Sequence, residues 1–131
     1  MAAIRGKHTR STELALRMAL VRSKITGWRL HEADLPGKPD VFFPRQKVAV
    51  FVDGCFWHGC PKCGHLPKTN RAFWRAKILR NKQRDRLAKS RLMRMRITTL
   101  RLWEHELNCP GGPQDIIDLK VKVLLRGGTR V

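Results

Sequence analysis

The fold is decided by residues 40–53, which have the sequence DVFFPRQKVAVFVD. The apolar run at 48–52 is typical of a buried strand, and the apolar run at 41–43 predicts a second strand before it. A short turn separates the two runs, so the spacing predicts an antiparallel hairpin. Because neighbouring strands are about 4.8 Å apart, Asp40 and Asp53 are expected to lie side by side at one edge of this hairpin.

A helix is predicted over residues 11–24, before the hairpin. Glu13 falls in its first turn, where a carboxylate suits the helix dipole. The predicted buried stripe of this helix has helical spacing and consists of Leu14, Met18, Val21 and Ile25.

The chain as a whole predicts one α/β domain over residues 1–131. The element order is helix, hairpin, helix, strand, helix, which indicates a small mixed sheet flanked by helices. We expect residues 1–10 to form a short basic N-terminal arm and residues 126–131 a flexible tail. The other predicted elements are a short strand at 28–31, a basic helix at 71–93, a strand at 96–103 and a helix at 114–125.

The charge of the chain predicts a polyanionic partner. The sequence has 28 Lys and Arg against 10 Asp and Glu, a net charge of +18. Solubility needs far less charge, and nucleic acid is the commonest biological polyanion. The sequence has no signal peptide and no apolar run of about 18 residues, so we expect a cytoplasmic protein without a membrane partner.

Cysteines cluster directly after the central strand. Cys55, Cys60 and Cys63 have the spacing C-x4-C-x2-C, which in a reducing compartment favours zinc over disulfides. A structural zinc ion takes four protein ligands, whereas free thiols are the alternative. The candidates for the fourth ligand are His65, His105 and Cys109.

The acids of the hairpin predict a second, harder metal site. Asp40 and Asp53 offer the carboxylate oxygens that Mg²⁺ prefers, and a phosphodiester hydrolase needs a polarised phosphate and an activated water. His58 is the natural general base, because a neutral imidazole titrates near working pH. The alternative for His58 is a zinc ligand or a packed surface histidine.

Asp85 interrupts the apolar stripe of the predicted basic helix. A carboxylate on a buried face needs a partner, so we expect either a salt bridge with an arginine or a place near a metal. The stripe has steps of three and four residues and consists of Trp74, Ile78, Asn81, Asp85, Ala88 and Leu92.

Phe56 and Trp57 form an adjacent aromatic pair. On a strand such neighbours point to opposite faces, so one of them is expected in the core. In a cationic protein, exposed aromatics also serve as wedges between base pairs. The residues alone leave both interpretations open.

Six segments between about residue 4 and residue 107 match the motifs of one family, and residues 54–58 are the most specific. They are LPGKPDVF at 35–42, VFVDGCFWHGCP at 50–61, PKTN at 67–70, FW at 73–74, NKQRD at 81–85 and LWEHEL at 102–107. Together they resemble the very-short-patch mismatch repair (Vsr) endonucleases. The resemblance implies a restriction-endonuclease-like (PD-(D/E)XK-type) core and a Mg²⁺-dependent nick of one DNA strand, 5′ to the T of a T:G mismatch.

The resemblance also implies residue roles around the catalytic metals. Asp40 would be the main ligand of a pair of Mg²⁺ ions, helped by the backbone carbonyl of Val52. His58 would activate the attacking water, and Glu13 would act around the metals or through their waters, as would Asp85. Asp53 stands where the best-studied family pattern has a histidine, so it would bind metal directly or order water.

For DNA and zinc, the resemblance implies a division of labour along the central segment. The residues implied to intercalate beside the mismatch are Phe56, Trp57 and, at the start of the chain, Met1. The implied ligands of one structural Zn²⁺ are Cys55, Cys60, Cys63 and His105.

Three functions are therefore expected in order. The first is a monomeric bacterial nickase of very-short-patch repair, acting on double-stranded nucleoid DNA with mismatch-repair helper proteins. The second is a related nicking or homing-type endonuclease without strict mismatch dependence. The third is a non-catalytic zinc-stabilised DNA-binding module, which the buried acids disfavour because binding alone does not need them.

Overall fold

A four-stranded mixed sheet organises the chain, which a computed structural model describes over residues 2–55, 66–108 and 112–128. The strand order in the sheet is β1-β2-β3-β4. In chain order the elements are α1 (Ala2–Arg22), β1 (Arg29–Leu30), β2 (Val41–Phe43), β3 (Val48–Asp53), α2 (Arg71–Arg94), β4 (Thr98–Trp103), α3 (Glu104–Asn108), α4 (Gly112–Ile116), a π-helical turn (Ile117–Val121) and α5 (Lys122–Gly128).

The strand β3 is the centre of the sheet, and all six of its residues are buried. It pairs antiparallel with β2, where Val41 lies opposite Val50, and parallel with β4, where Val50 lies opposite Leu100. The β-branched side chains of β3 suit a strand that is covered on both faces. The predicted hairpin is confirmed, and so is the small mixed sheet.

Alternation along β3 divides the core into two layers. Val48, Val50 and Val52 pack with Leu16, Leu20 and the helical residues 107–121 on one face. Ala49 and Phe51 pack with Leu92 of α2 and with Ile97 on the other. The sheet is therefore sandwiched between helices, as the α/β prediction requires.

The predicted buried stripe of α1 is wrong. Leu14, Met18 and Val21 are exposed, although Ile25 packs partly against the core. Apolar residues occur on two sides of this helix, so periodicity did not choose between them. The side with the small residue Ala19 lets the helix approach the sheet closely, and the buried positions are Thr12, Glu13, Leu16, Ala19 and Leu20.

The buried face of α2 agrees with its prediction. The fully buried residues are Ile78, Asn81, Ala88 and Leu92, all members of the predicted stripe. The amide of buried Asn81 accepts a hydrogen bond from Arg84, so the one neutral polar residue of this face is satisfied. Asp85 lies half-buried on the same face.

Both ends of the chain are more helical than predicted. The backbone of α1 begins at Ala2, so the residues predicted as a basic arm continue the helix. Residues 112–128 are helical throughout and include a π turn, so residues 126–128 of the predicted tail belong to α5. Among the described residues no helix has the length and apolar character needed to cross a membrane.

The loop before β2 depends on Gly37, which has a φ of +77°. A Cβ at this position would lie 2.9 Å from the Cβ of Ala88 and 3.1 Å from Cε1 of Phe51. We expect Gly37→Ala to lower the free energy of unfolding by roughly 1–2 kcal/mol from the left-handed backbone, and by about 1–3 kcal/mol more from overpacking. Urea denaturation measures both.

Gly27→Ala is the matched control, because Gly27 has a φ of +81° but no atom within 4 Å of an added Cβ. It should show the backbone penalty alone. Equal losses in the two variants would mean that the loop yields and that close packing against α2 does not fix it.

Candidate active site

Asp40 is fixed by the end of the β2–β3 ladder. Its backbone N–H donates to the carbonyl of Val50 at 3.0 Å, and its Oδ2 accepts a hydrogen bond from the Val52 N–H at 2.7 Å. Burial raises the pKa of Asp40 to about 6, against the lowering effect of the Val52 hydrogen bond and with a further increase from the nearby Glu13 carboxylate. The fold thus holds this carboxyl where its negative charge is poorly solvated.

Glu13 brings a second carboxylate to the same place from α1. The residue is only 8% exposed. Its Oε1 is buried and has no hydrogen-bond partner among the described residues. A buried carboxylate oxygen without a donor is costly, so it is uncommon in a finished structural core.

His31 completes this cluster and was not predicted as a site residue. It follows β1, and its N–H donates to the carbonyl of Asp40 at 3.3 Å. Its Nε2 lies 2.7 Å from Oε1 of Glu13, without the alignment of a hydrogen bond. Ligand atoms of Glu13, His31 and Asp40 all lie within 4.8 Å of one another. The available signal was the position of His31 at the end of the predicted strand over 28–31.

Asp53 is held by an arginine. It is 4% exposed, and its two carboxylate oxygens accept hydrogen bonds from Nη1 of Arg101 at 2.8 and 3.0 Å. The other terminal nitrogen of Arg101 lies 3.5 Å from Oδ1 of Asp85, and the guanidinium stacks 4.2 Å from the centre of the Phe51 ring. Asp85 therefore has the arginine partner that was one of its two predicted alternatives.

The structure does not bring Asp53 into the cluster of Glu13, His31 and Asp40, although its charge adds to the rise in the pKa of Asp40. The metal-binding roles of Asp53, Asp85 and the Val52 carbonyl stay predictions.

Two of the predicted zinc ligands lie together. The Sγ of Cys55 is 3.3 Å from Nδ1 of His105, across the junction between β3 and α3. The backbone N–H of Cys55 donates to Oε1 of Glu104 at 3.0 Å, which ties the same junction a second time. Six predicted site residues lie outside the described residues: Met1, Phe56, Trp57, His58, Cys60 and Cys63. The alternative zinc ligands His65 and Cys109 lie outside them as well.

Comparison with known proteins agrees with the motifs. The family described as DNA mismatch endonuclease Vsr matches residues 1–63. The type II nicking enzyme V.XorIIP of Xanthomonas oryzae pv. oryzae is 40% identical over 110 residues, which cover 82% of this chain and 79% of that protein. The chain belongs to the Vsr family. The resemblance stated from the sequence is thereby confirmed, and Vsr membership supports the nuclease fold.

Other Vsr relatives cover less of their own length. The DNA mismatch endonuclease Vsr of Escherichia coli K12 is 36% identical over 104 residues, covering 77% of this chain and 66% of that protein. The type II nicking enzyme V.NaeI of Lentzea aerocolonigenes is 51% identical over 69 residues, covering 53% of this chain. This chain spans 42% of V.NaeI, less than half of that protein.

The contacts of Arg101 predict a large loss of stability on its removal. Arg101→Met leaves the buried Asp53 carboxylate without its guanidinium, and breaking such a pair costs about 3–5 kcal/mol when both groups are buried. Because the Arg101 side chain is 24% exposed, we expect a loss near the lower end of that range, about 3 kcal/mol, in urea denaturation.

Arg29→Met is the control. It removes an ion pair with Glu32 at 3.7 Å in which the arginine side chain is 65% exposed, so the loss should be less than about 1 kcal/mol. Arg101→Lys keeps a cation beside Asp53 and should fall between the two. Losses of equal size for Arg101→Met and Arg29→Met would contradict a buried role for the Arg101 pair.

Proposed function

We propose that this Vsr-family chain is a Mg²⁺-dependent endonuclease that nicks one strand of duplex DNA. The observation that carries the proposal is the buried Oε1 of Glu13, which lacks a hydrogen-bond partner and faces a cluster with Asp40. Two carboxylates that share a poorly solvated place repel each other, and a divalent cation is the partner that offsets both charges. The donor set therefore fits a metal.

Asp40 and Glu13 would hold the catalytic Mg²⁺, with the carbonyl of Val52 and the carboxylate of Asp53 as further candidates. When bound, Mg²⁺ supplies charge stabilisation to the phosphate under attack. The Val52 N–H orients the Asp40 carboxylate, and Arg101 holds Asp53 beside it. His58 would take the proton of the attacking water, a role that rests on its place in the motif.

The surface charge supports DNA as the substrate. The helix α2 is rich in Lys and Arg, and its one acid is Asp85. Most of its basic side chains are exposed, which suits contacts with the phosphate backbone: Arg71, Arg75, Arg80, Lys82, Arg84, Arg86, Lys89, Arg91 and Arg94. Since the relatives are bacterial, we expect the protein to act as a monomer on nucleoid DNA in the cytoplasm, with helper proteins still to be identified.

We further propose that the cut lies 5′ to the T of a T:G mismatch. The relative from Escherichia coli is named a DNA mismatch endonuclease, and Phe56, Trp57 and Met1 would intercalate beside the mispair. Relatives such as V.XorIIP and V.NaeI are named type II nicking enzymes. Those names favour, as the second candidate, a nickase of the same fold without strict mismatch dependence.

A structural Zn²⁺ is proposed at the end of β3. A tetrahedral ion with Zn–S and Zn–N bonds of about 2.3 and 2.0 Å places a sulfur and a nitrogen ligand about 3.5 Å apart. Sγ of Cys55 and Nδ1 of His105 are 3.3 Å apart, which fits that edge. Cys60 and Cys63 would complete the set. The ion would anchor α3 to the loop that carries Phe56, Trp57 and His58.

The proposed activity predicts nicks that need Mg²⁺ and Asp40. Labelled T:G, matched and single-stranded DNA are incubated with Mg²⁺, and the cut positions are mapped. We expect cutting of one strand, 5′ to the mispaired T. Asp40→Asn should reduce the rate by at least about 100-fold while DNA affinity persists, because metal-held charge stabilisation is lost.

Asp34→Asn is the control, because it removes an exposed acid close in sequence to Asp40 that lies outside the cluster. It should cut like the parent chain. Equal cutting of matched duplex would replace mismatch specificity with the second candidate function. Retained cutting by Asp40→Asn would contradict the assigned site.

The zinc proposal predicts one Zn²⁺ per chain by elemental analysis of the purified protein. His105→Gln should lower the zinc content and the thermal stability together, because a structural zinc contributes folding free energy. His31→Gln is the control, since His31 lies in the other cluster, and it should retain zinc. Purified chain without zinc, or His105→Gln with a full complement, would remove this site.

A further inference from the structure

We propose that His31 is a direct ligand of the cation held by Glu13 and Asp40, and that its imidazole makes this site favour a first-row transition ion over Mg²⁺. This inference rests on the proposed function, because it concerns the same cation. His31 would be a specificity-determining residue for the metal. The imidazole is supplied by β1, outside the segments that carry the predicted metal ligands.

The distances fit one ion. Octahedral coordination at about 2.0–2.1 Å separates adjacent ligand atoms by about 3 Å and opposite ones by about 4 Å. Nε2 of His31 is 2.7 Å from Oε1 of Glu13, close to the separation of adjacent ligands. All three side chains offer ligand atoms within 4.8 Å of one another.

Burial gives an independent reason for a ligand at this point. The Glu13 side chain is nine-tenths buried, at 10% exposure, and its Oε1 has no hydrogen-bond partner among the described residues. That oxygen therefore points to a missing partner, and its nearest recorded neighbour is a nitrogen that can bind the same ion.

The backbone places His31 beside Asp40 by extending the strand pairing. Leu30 lies opposite Val41, so the next residues along, His31 and Asp40, are neighbours across β1 and β2. The hydrogen bond from His31 N–H to the Asp40 carbonyl at 3.3 Å maintains this register. The His31 side chain is 62% exposed, so it approaches the acids from the solvent side.

The chemistry of the donor set decides the metal preference. Mg²⁺ is a hard ion that is held by oxygen ligands and water, whereas imidazole nitrogen suits transition ions. Two carboxylates alone would serve Mg²⁺. Adding an imidazole raises the affinity for ions such as Mn²⁺ more than the affinity for Mg²⁺.

A simpler role for His31 competes with this one. A protonated imidazole would pair with the Glu13 carboxylate as a cation, neutralise it and leave no lone pair for a metal. In that case the removal of His31 would strengthen cation binding, because a repelling charge disappears. The two roles therefore predict opposite changes in affinity.

The test uses the full chain with its zinc in place, after dialysis into buffer free of Mg²⁺ and Mn²⁺. Mn²⁺ binding is titrated by electron paramagnetic resonance, and Mg²⁺ affinity is obtained by competition. His31→Gln should weaken Mn²⁺ binding at least about 10-fold, the smallest effect typical of losing even an outer-shell partner of a metal ligand. Mg²⁺ affinity should fall less, and the Asp34→Asn control should change neither.

A spectroscopic signature separates ligation from charge. Pulsed electron paramagnetic resonance of the Mn²⁺-loaded chain should show coupling to an imidazole ¹⁴N, which His31→Gln should abolish. An unchanged or higher Mn²⁺ affinity in His31→Gln, or the same ¹⁴N coupling in both chains, would overturn the inference. Asp40→Asn distinguishes the two levels: if it loses both Mn²⁺ binding and nicking while His31→Gln keeps both, the proposed function stands and only the role of His31 fails.

Discussion

The hydrogen bond from the Val52 N–H to the Asp40 carboxylate is the contact on which the site depends, because it joins the central strand to the acid that begins its neighbour. The hairpin of β2 and β3 sets the register, and the side chain of Asp40 accepts where the ladder ends. Any slip of one residue would turn the acid to the other face of the sheet. Packing of β3 on both faces therefore also positions the candidate chemistry.

Two groups of buried acids near this edge are treated differently by the fold. Asp53 and Asp85 share Arg101, whose guanidinium also stacks on Phe51, so their charges are compensated from within the chain. Glu13 and Asp40 have no such arginine among their described contacts, although the chain carries 28 Lys and Arg. A protein with so many available cations that leaves a buried carboxylate oxygen without a donor has kept that place for another partner. The contrast separates a structural group of acids from a functional one.

The sequence predicted the parts of this arrangement that rest on strong local patterns. The β2–β3 hairpin follows from one apolar run and a turn, and the inner face of α2 follows from regular spacing through Ile78 and Leu92. The inner face of α1 was not predictable, because Leu14 and Leu16 both suit a core and only the tertiary fit chose between them. His31 escaped notice because it is exposed and follows a strand of only two residues, so neither burial nor period marked it.

The acid cluster also links metal binding to the packing of the first helix. Glu13 belongs to α1, His31 follows β1 and Asp40 precedes β2, so one cation would connect three elements that otherwise meet through apolar contacts. Without the cation, the repulsion between Glu13 and Asp40 opposes the packing of Leu16 and its neighbours against β3. An ion that binds the folded chain alone stabilises it in proportion to its affinity. Occupancy of the site and the position of α1 are therefore coupled, and substitutions in the buried face of α1 should alter cation affinity even where they touch no ligand.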